Sequence, residues 1–173
     1  MKKTILMSAF AFLGLTQAFA QKTDEITHRN SWLKAGLSAG IPVGNLSNYS
    51  SVAAGLELSG QYLVNPHFGI GIATGYTNYF GKNGNKDFGT IPVGLLFRYY
   101  PKPEGFFAGV DGGYSFITNN NGGSKGGAYI KPQLGYHNYN WNFYGFYNQV
   151  FQKTGYIDLQ TVGIAATYNI RFK

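Results

Sequence analysis

The chain has 173 residues, no cysteine, and 14 basic against 7 acidic residues, a formal net charge of +7. Only 12% of residues are charged, against roughly 25% in ordinary soluble domains, while 17% are aromatic and 25 residues are glycine. Without cysteine there is no disulfide framework and no lipid-modified cysteine anchor, and without a Lys/Arg cluster or an aromatic-interleaved basic stripe the positive balance is no nucleic-acid signal.

Residues 1–20 read as an export signal. Lys2 and Lys3 give a positive start, Ile5 to Leu15 an apolar core too short to span a bilayer comfortably, and Ala18-Phe19-Ala20 a small-x-small cleavage site. Cleavage before Gln21 leaves 153 residues (173 less 20), one domain's worth, and lowers the formal charge to +5 by removing two lysines. Residues 21–30 (QKTDEITHRN) are polar and aperiodic and are expected to form a flexible tail. No later segment holds the ~18 unbroken apolar residues that a spanning helix needs.

From Ser31 onward the chain alternates with a period of two, the mark of a strand with one oily face. Strand one is predicted at about 31–41, with Leu33, Ala35, Leu37, Ala39 and Ile41 in step. Strand two follows at about 52–64 with Val52, Ala54, Leu56, Leu58, Tyr62 and Val64, and Asn65-Pro66-His67 turns the chain. Strand three, about 68–80, sets Phe68, Ile70, Ile72 and Tyr76 against Gly69, Gly71, Ala73 and Gly75. Strand four, about 87–100, carries Ile91, Val93, Leu95, Phe97 and Tyr99, and strand five, about 106–117, Phe106, Ala108, Val110, Tyr114 and Phe116. Strand six, about 127–138, shows Ala128, Ile130, Leu134 and Tyr136. Strand seven, about 141–151, is aromatic on both faces, so its phase stays open. The last, Leu159 to Phe172, alternates Val162, Ile164, Ala166, Tyr168, Ile170 and Phe172 with small or polar residues.

The connections alternate in length. Those near 42–51, 81–86, 118–126 and 152–157 are long and rich in Gly, Asn, Ser and Lys; those near 65–67, 101–105 and 139–140 are short. Eight strands joined in this way predict an all-β, eight-stranded antiparallel up-and-down transmembrane β-barrel over 31–173, with the N-terminus and short turns toward the periplasm. Mid-strand charges give a separate check. Lys34, Glu57, Arg98, Asp111, Lys131 and Arg171 all fall on the face opposite the oily one, as a lipid-facing exterior requires. A soluble barrel would segregate its faces too, but its water-facing side would carry many more than six charges.

Aromatics gather toward strand ends. Trp32, Phe68, Tyr99, Tyr100, Phe106, Phe107, Tyr136, Trp141 and Phe172 are expected in one interfacial belt, and Tyr76, Tyr79, Phe80, Phe116 and Phe151 in the other. Pro92 and Pro132 fall inside strands, where each predicts a bulge or local irregularity.

An eight-stranded barrel leaves an interior only wide enough for side chains to fill. Arg98 and Asp111, near-opposite or diagonal across the 101–105 turn, are expected to form an ion pair inside it. Glu57, Lys131, Lys34 and Arg171 would extend that pair into a structural network, and Gly69, Gly71, Ala73 and Gly75 would make room for Arg98 and its neighbours or, as the alternative, line a small cavity. A ligand or proton pathway is the alternative use of the same charges. The histidines are His28, His67 and His137, in the tail or near short turns, with no Ser–His–acid set at the long-loop end and no metal-binding pair. Lys82, Lys86, Lys125 and Lys153 stand in the long loops with only Asp87 and Asp158 beside them, positioned to meet lipopolysaccharide phosphates, a partner's acidic patch, or simply water.

The stretch IPVGLLFRYYPKPEGFFAGVDGGYSF (Ile91 to Phe116) resembles the central hairpin, and VGIAATYNIRF (Val162 to Phe172) the closing strand, of the small outer-membrane β-barrel family that includes the OmpA transmembrane domain and OmpX-like proteins. The resemblance covers nearly all of 31–173. It implies an integral protein of the Gram-negative outer membrane, its final strand read by the barrel assembly machinery through Tyr168, Ile170 and Phe172, with Lys173 one residue beyond the usual end. The peptidoglycan-binding periplasmic domain of longer relatives is not expected. Two kinds of small barrel act on lipid A, a deacylase and a palmitoyltransferase, but the histidine positions argue against an enzyme. The expectation is a non-catalytic barrel without cofactors, structural or presenting its loops to a partner that the sequence does not name. A porin-like small-solute channel or a lipid-handling barrel is the alternative.

Overall fold

The computed structural model describes residues 31–119 and 124–171. The export segment 1–20, the tail 21–30, Phe172 and Lys173 lie outside the described residues, as does the side chain of Arg171. Eight strands run in order: β1 (Ser31–Val43), β2 (Ser50–Asn65), β3 (Phe68–Gly81), β4 (Phe88–Tyr99), β5 (Gly105–Thr118), β6 (Gly126–His137), β7 (Trp141–Phe151) and β8 (Leu159–Arg171). Each pairs antiparallel with its sequence neighbours, and β1 pairs with β8 from Trp32↔Arg171 to Val43↔Gln160, closing the sheet. No sheet edge is left among the described strands, so the backbone donors and acceptors of the wall are satisfied within it, which is the condition for crossing lipid with strands.

The alternation read from the sequence is the alternation of the wall. Leu37, Leu56, Ile72, Leu95, Leu134 and Ile164 face out, and Leu95 and Ile164 stand 71% and 70% exposed. Exposed apolar residues on every strand form a continuous band, far larger than any patch a soluble monomer tolerates. The phase of β7 is now fixed. Trp141, Phe143 and Tyr147 face out, while Asn142, Tyr144 and Phe146 point into the lumen.

Two of the short turns are built by an asparagine side chain. Asn65 Oδ1 accepts from the N–H groups of His67 and Phe68 (2.8 and 2.9 Å), and Asn138 Oδ1 from those of Asn140 and Trp141 (2.9 and 2.8 Å). Each Asn supplies the acceptor that the ladder cannot supply at the bend. On the long side, Gly44–Asn48 is a 3-10 helix that drops Leu46 completely out of solvent.

The two in-strand prolines interrupt the ladder without shifting it. The β3–β4 pairing runs to Thr74↔Val93 and resumes at Thr77↔Thr90, and the β6–β7 pairing breaks between Ile130↔Gln149 and Gln133↔Phe146. Each break lies on one side of a proline that still pairs on the other, Pro92 with Ser115 and Pro132 with Val110. A missing N–H thus removes one side of the pairing and leaves the register intact. The register shifts fall instead at the ends of β2, between Ser50 and Val52 and between Leu63 and Asn65.

The belts need correction. Phe68, Tyr99, Phe106, Tyr136 and Trp141 line the outside at the short-turn end, and Tyr76, Phe80, Phe116 and Phe151 at the other. Trp32, Tyr100 and Phe107, however, are 7%, 1% and 2% exposed and point inward, as does Tyr79 at 1%. The reason is parity: in Tyr99-Tyr100 and Phe106-Phe107, only one of two adjacent strand residues can face lipid.

Candidate functional site

The inward residues stack into three layers along the barrel axis. At the short-turn end, Trp32, Tyr100, Phe107, Tyr144 and Ala165 form one buried cluster, with Leu63 and Phe146 packed against it. Tyr100 is its hub: ring centroids lie 5.7 Å from Phe107, 6.1 Å from Trp32 and 4.5 Å from His137. At the long-loop end, Leu46, Ala53, Tyr79, Tyr129, Val150 and Leu159 form a second cluster, and Tyr79 stacks on Phe88 at 4.8 Å. Between them lies a polar middle layer.

Both ion pairs found among the described residues belong to this interior. Arg98 Nη1 donates to Asp111 Oδ1 at 2.5 Å, both side chains less than a tenth exposed. Gln133 Nε2 donates to Asp111 Oδ2 at 2.6 Å, so both carboxylate oxygens are engaged. Arg98 faces Gly109 in the register, which makes Asp111 its diagonal neighbour two residues on. The second pair spans the lumen: Lys131 Nζ on β6 reaches Glu57 on β2 at 2.6 and 2.8 Å, bidentate, and lies 4.3 Å from the Phe146 ring centroid. In register Lys131 sits opposite Asp111, yet its ammonium goes to the far wall.

Lys34 belongs to the short-turn layer. Its Nζ donates to Tyr100 Oη (2.9 Å) and Asn142 Oδ1 (3.2 Å) and lies 5.0 Å from the Trp32 ring centroid. Tyr100 Oη donates in turn to Gln61 Oε1 at 2.9 Å. The six expected charges therefore divide: two ion pairs in the middle layer, Lys34 among the aromatics, and Arg171 with its side chain outside the described residues.

Room for Arg98 comes from a different strand than expected. A Cβ at Gly109 on β5 would fall on Arg98 Cδ and Nη1. On β3, a Cβ at Gly69 would meet Gln61, and at Gly71 and Gly75 it would strike the carbonyls of Gly60 and Leu56. The β3 glycines thus let the wall coil tightly against β2, and Gly109 gives the guanidinium its bed. Gly109→Val is expected to push Arg98 off Asp111 and destabilise the barrel by about 1–3 kcal/mol in denaturant titrations.

A cavity of about 40 Å³ lies in the middle layer, lined in part by Glu57, Asp111, Lys131, Thr90 and Thr161, and on β3 by Ala73 and Gly75, the alternative place expected for those small residues. That is room for a few water molecules and not for a solute. Sequence reasoning missed the two apolar caps that bound this layer. Inward parity was a signal for Tyr100 and Phe107; Leu46 had none, since it sits in a polar loop.

The two described histidines sit away from the long loops. His67 Nδ1 lies 2.8 Å from Tyr100 O, and the buried His137 has Nε2 3.3 Å from Lys102 O. Among the described residues no three metal-ligating side chains converge.

No protein-family profile and no curated protein matches the chain. Its fold is that of small eight-stranded outer-membrane-type barrels. Neisserial surface protein A superposes with a TM-score of 0.54 at 16% identity, covering 86% of this chain and all of that one. Ail, the attachment invasion locus protein of Yersinia pestis, gives 0.54 at 13% over 81% of this chain and 97% of its own. The N-terminal β-barrel domain of Pseudomonas aeruginosa OprF gives 0.51 at 16%, over 82% and 98%. At such identities the likeness is one of fold.

Proposed function

We propose that this chain is an integral outer-membrane barrel with a sealed lumen, non-catalytic, whose role lies in its wall and in the four long loops rather than in a conduit. The observation that carries this reading is the filled interior: two apolar caps enclose an ion-paired layer whose cavity holds only about 40 Å³. A porin-like use would need a continuous polar path, and the caps place Tyr79, Tyr129, Tyr100 and Phe107 across it. The outward apolar band is the reason for placing it in a bilayer, and the outer-membrane-type fold is the reason for choosing that membrane. Outer-membrane lipid and lipopolysaccharide are then its surroundings. Tyr168 and Ile170, outward on the closing strand, are the described residues that the assembly machinery would read. The non-catalytic reading draws support from both described histidines, which lie at the short-turn end against backbone carbonyls.

Planar-bilayer recording tests the seal. Purified, folded protein is expected to insert without discrete conductance steps, and reproducible single-channel steps from the unmodified chain would overturn the sealed-lumen reading in favour of a solute channel.

A further inference from the structure

The cavity of about 40 Å³ between the two caps is lined by more polar groups than the fold itself provides partners for. Tyr129, Ser115 and Ser38 line it, each at least nine-tenths buried. Among the described residues, none of their three hydroxyls has a hydrogen bond within the protein. Tyr79, on the same lining, differs: its hydroxyl lies 3.1 Å from Thr161 Oγ1. The place of Tyr129 is built by a neighbour's missing side chain. Its ring reaches from β6 toward β4, where a Cβ at Gly94 would come within 2.6 Å of Tyr129 Oη. A buried hydroxyl without a partner is costly, so three around one void point to a polar occupant.

The charges around the cavity balance. Glu57 and Asp111 are matched by Lys131 and Arg98, so an ion would enter without a counter-charge. Hydroxyls, carboxylates and an ammonium together call for a small molecule that both donates and accepts. Volume sets the number. Each water needs roughly 10–15 Å³ of such space, so about three fit. The two ion pairs differ in the same direction: Lys131 and Glu57 keep 11% and 17% of their side-chain surface, Arg98 and Asp111 only 7% and 5%.

We propose that this cavity is a hydration site, with about three water molecules held between the caps and bonded to Tyr129 Oη, Ser115 Oγ and Ser38 Oγ. The same waters reach the Lys131–Glu57 pair and hydrate it inside the wall. The Arg98–Asp111 pair relies instead on Gln133 for its second carboxylate oxygen. The site rests on the sealed-lumen reading for its enclosure and names what fills the space which that reading leaves.

The test is high-resolution X-ray diffraction from crystals of the purified, folded chain in detergent. Solvent peaks are expected within about 3 Å of the Tyr129, Ser115 and Ser38 hydroxyls. Tyr129→Phe should lose the peak beside its hydroxyl and keep the one at Ser115, with gel mobility before and after boiling confirming that the variant is folded. Xenon under pressure should not enter, since it prefers dry apolar cavities. A soak in rubidium bromide should leave no anomalous peak there. The proposal is overturned by a cavity without solvent peaks, by xenon inside it, by rubidium or bromide inside it, or by a Tyr129→Phe map with every peak retained. A dry cavity between intact caps would sink this site alone. A file of solvent running past Tyr79 or Phe107 to an end of the barrel would overturn the sealed lumen as well.

Discussion

Asp111→Ala is expected to destabilise the barrel by about 3–5 kcal/mol, the cost of leaving one partner of a buried ion pair without the other. The carboxylate has two charge-assisted bonds to lose, from Arg98 Nη1 and from Gln133 Nε2. Once it is gone, the guanidinium keeps the carbonyls of Phe97 and Val110, at 3.0 and 3.3 Å, and has no counter-charge beside it. An exposed pair would cost no more than about 1 kcal/mol, so the size of the loss reports burial. Arg98→Met combined with Asp111→Leu should recover most of the stability, because a matched apolar pair needs no counter-charge. Reversible denaturant unfolding in phospholipid vesicles, with the slope checked for constancy, measures both. A single-variant loss under about 1 kcal/mol would contradict a buried, structural pair.

Leu95→Arg carries the second largest effect. Leu95 is 71% exposed near the middle of β4, on the face that carries Ile91, Val93 and Phe97. In water, replacing so exposed a leucine by arginine would be neutral or helpful. In a bilayer it should cost about 2–4 kcal/mol, since a charge near the midplane of a lipid-facing wall has no partner. The sign of the change therefore separates the two solvents. Thr154→Arg, in the exposed β7–β8 connection, is the control and should change stability by less than about 0.5 kcal/mol. A neutral Leu95→Arg measured in vesicles would mean that this face does not meet lipid.

The wall was legible in the sequence because lipid demands one apolar face on every strand, and a period of two leaves no freedom once that face is known. No strand end among the described residues differs from its expected place by more than two residues. The interior was legible only as a list of inward residues. Which of them touch depends on the width and coiling of the barrel, which alternation does not encode. Lys131 shows the difference: register sets it beside Asp111, and the narrow lumen lets it reach Glu57 on the opposite wall. Gly109, rather than the glycines of β3, beds Arg98 for the same kind of reason, since only the paired register brings it under the guanidinium. Tyr100 and Phe107 were misplaced by preferring a general tendency, aromatics at interfaces, over the parity of their own strands. Strand β7 defeated parity because Tyr144 and Phe146 fill the lumen as bulkily as Trp141 and Phe143 coat the outside.

Electrophoretic mobility in SDS of the outer-membrane fraction, unboiled against boiled, tests most directly whether these eight strands form a membrane-spanning barrel. The chain is expected in that fraction, with unboiled protein migrating apart from boiled because the closed hydrogen-bonded wall resists detergent until heated. Recovery in the soluble periplasm, with the same mobility before and after boiling, would contradict the membrane barrel and leave a secreted soluble β-barrel in its place.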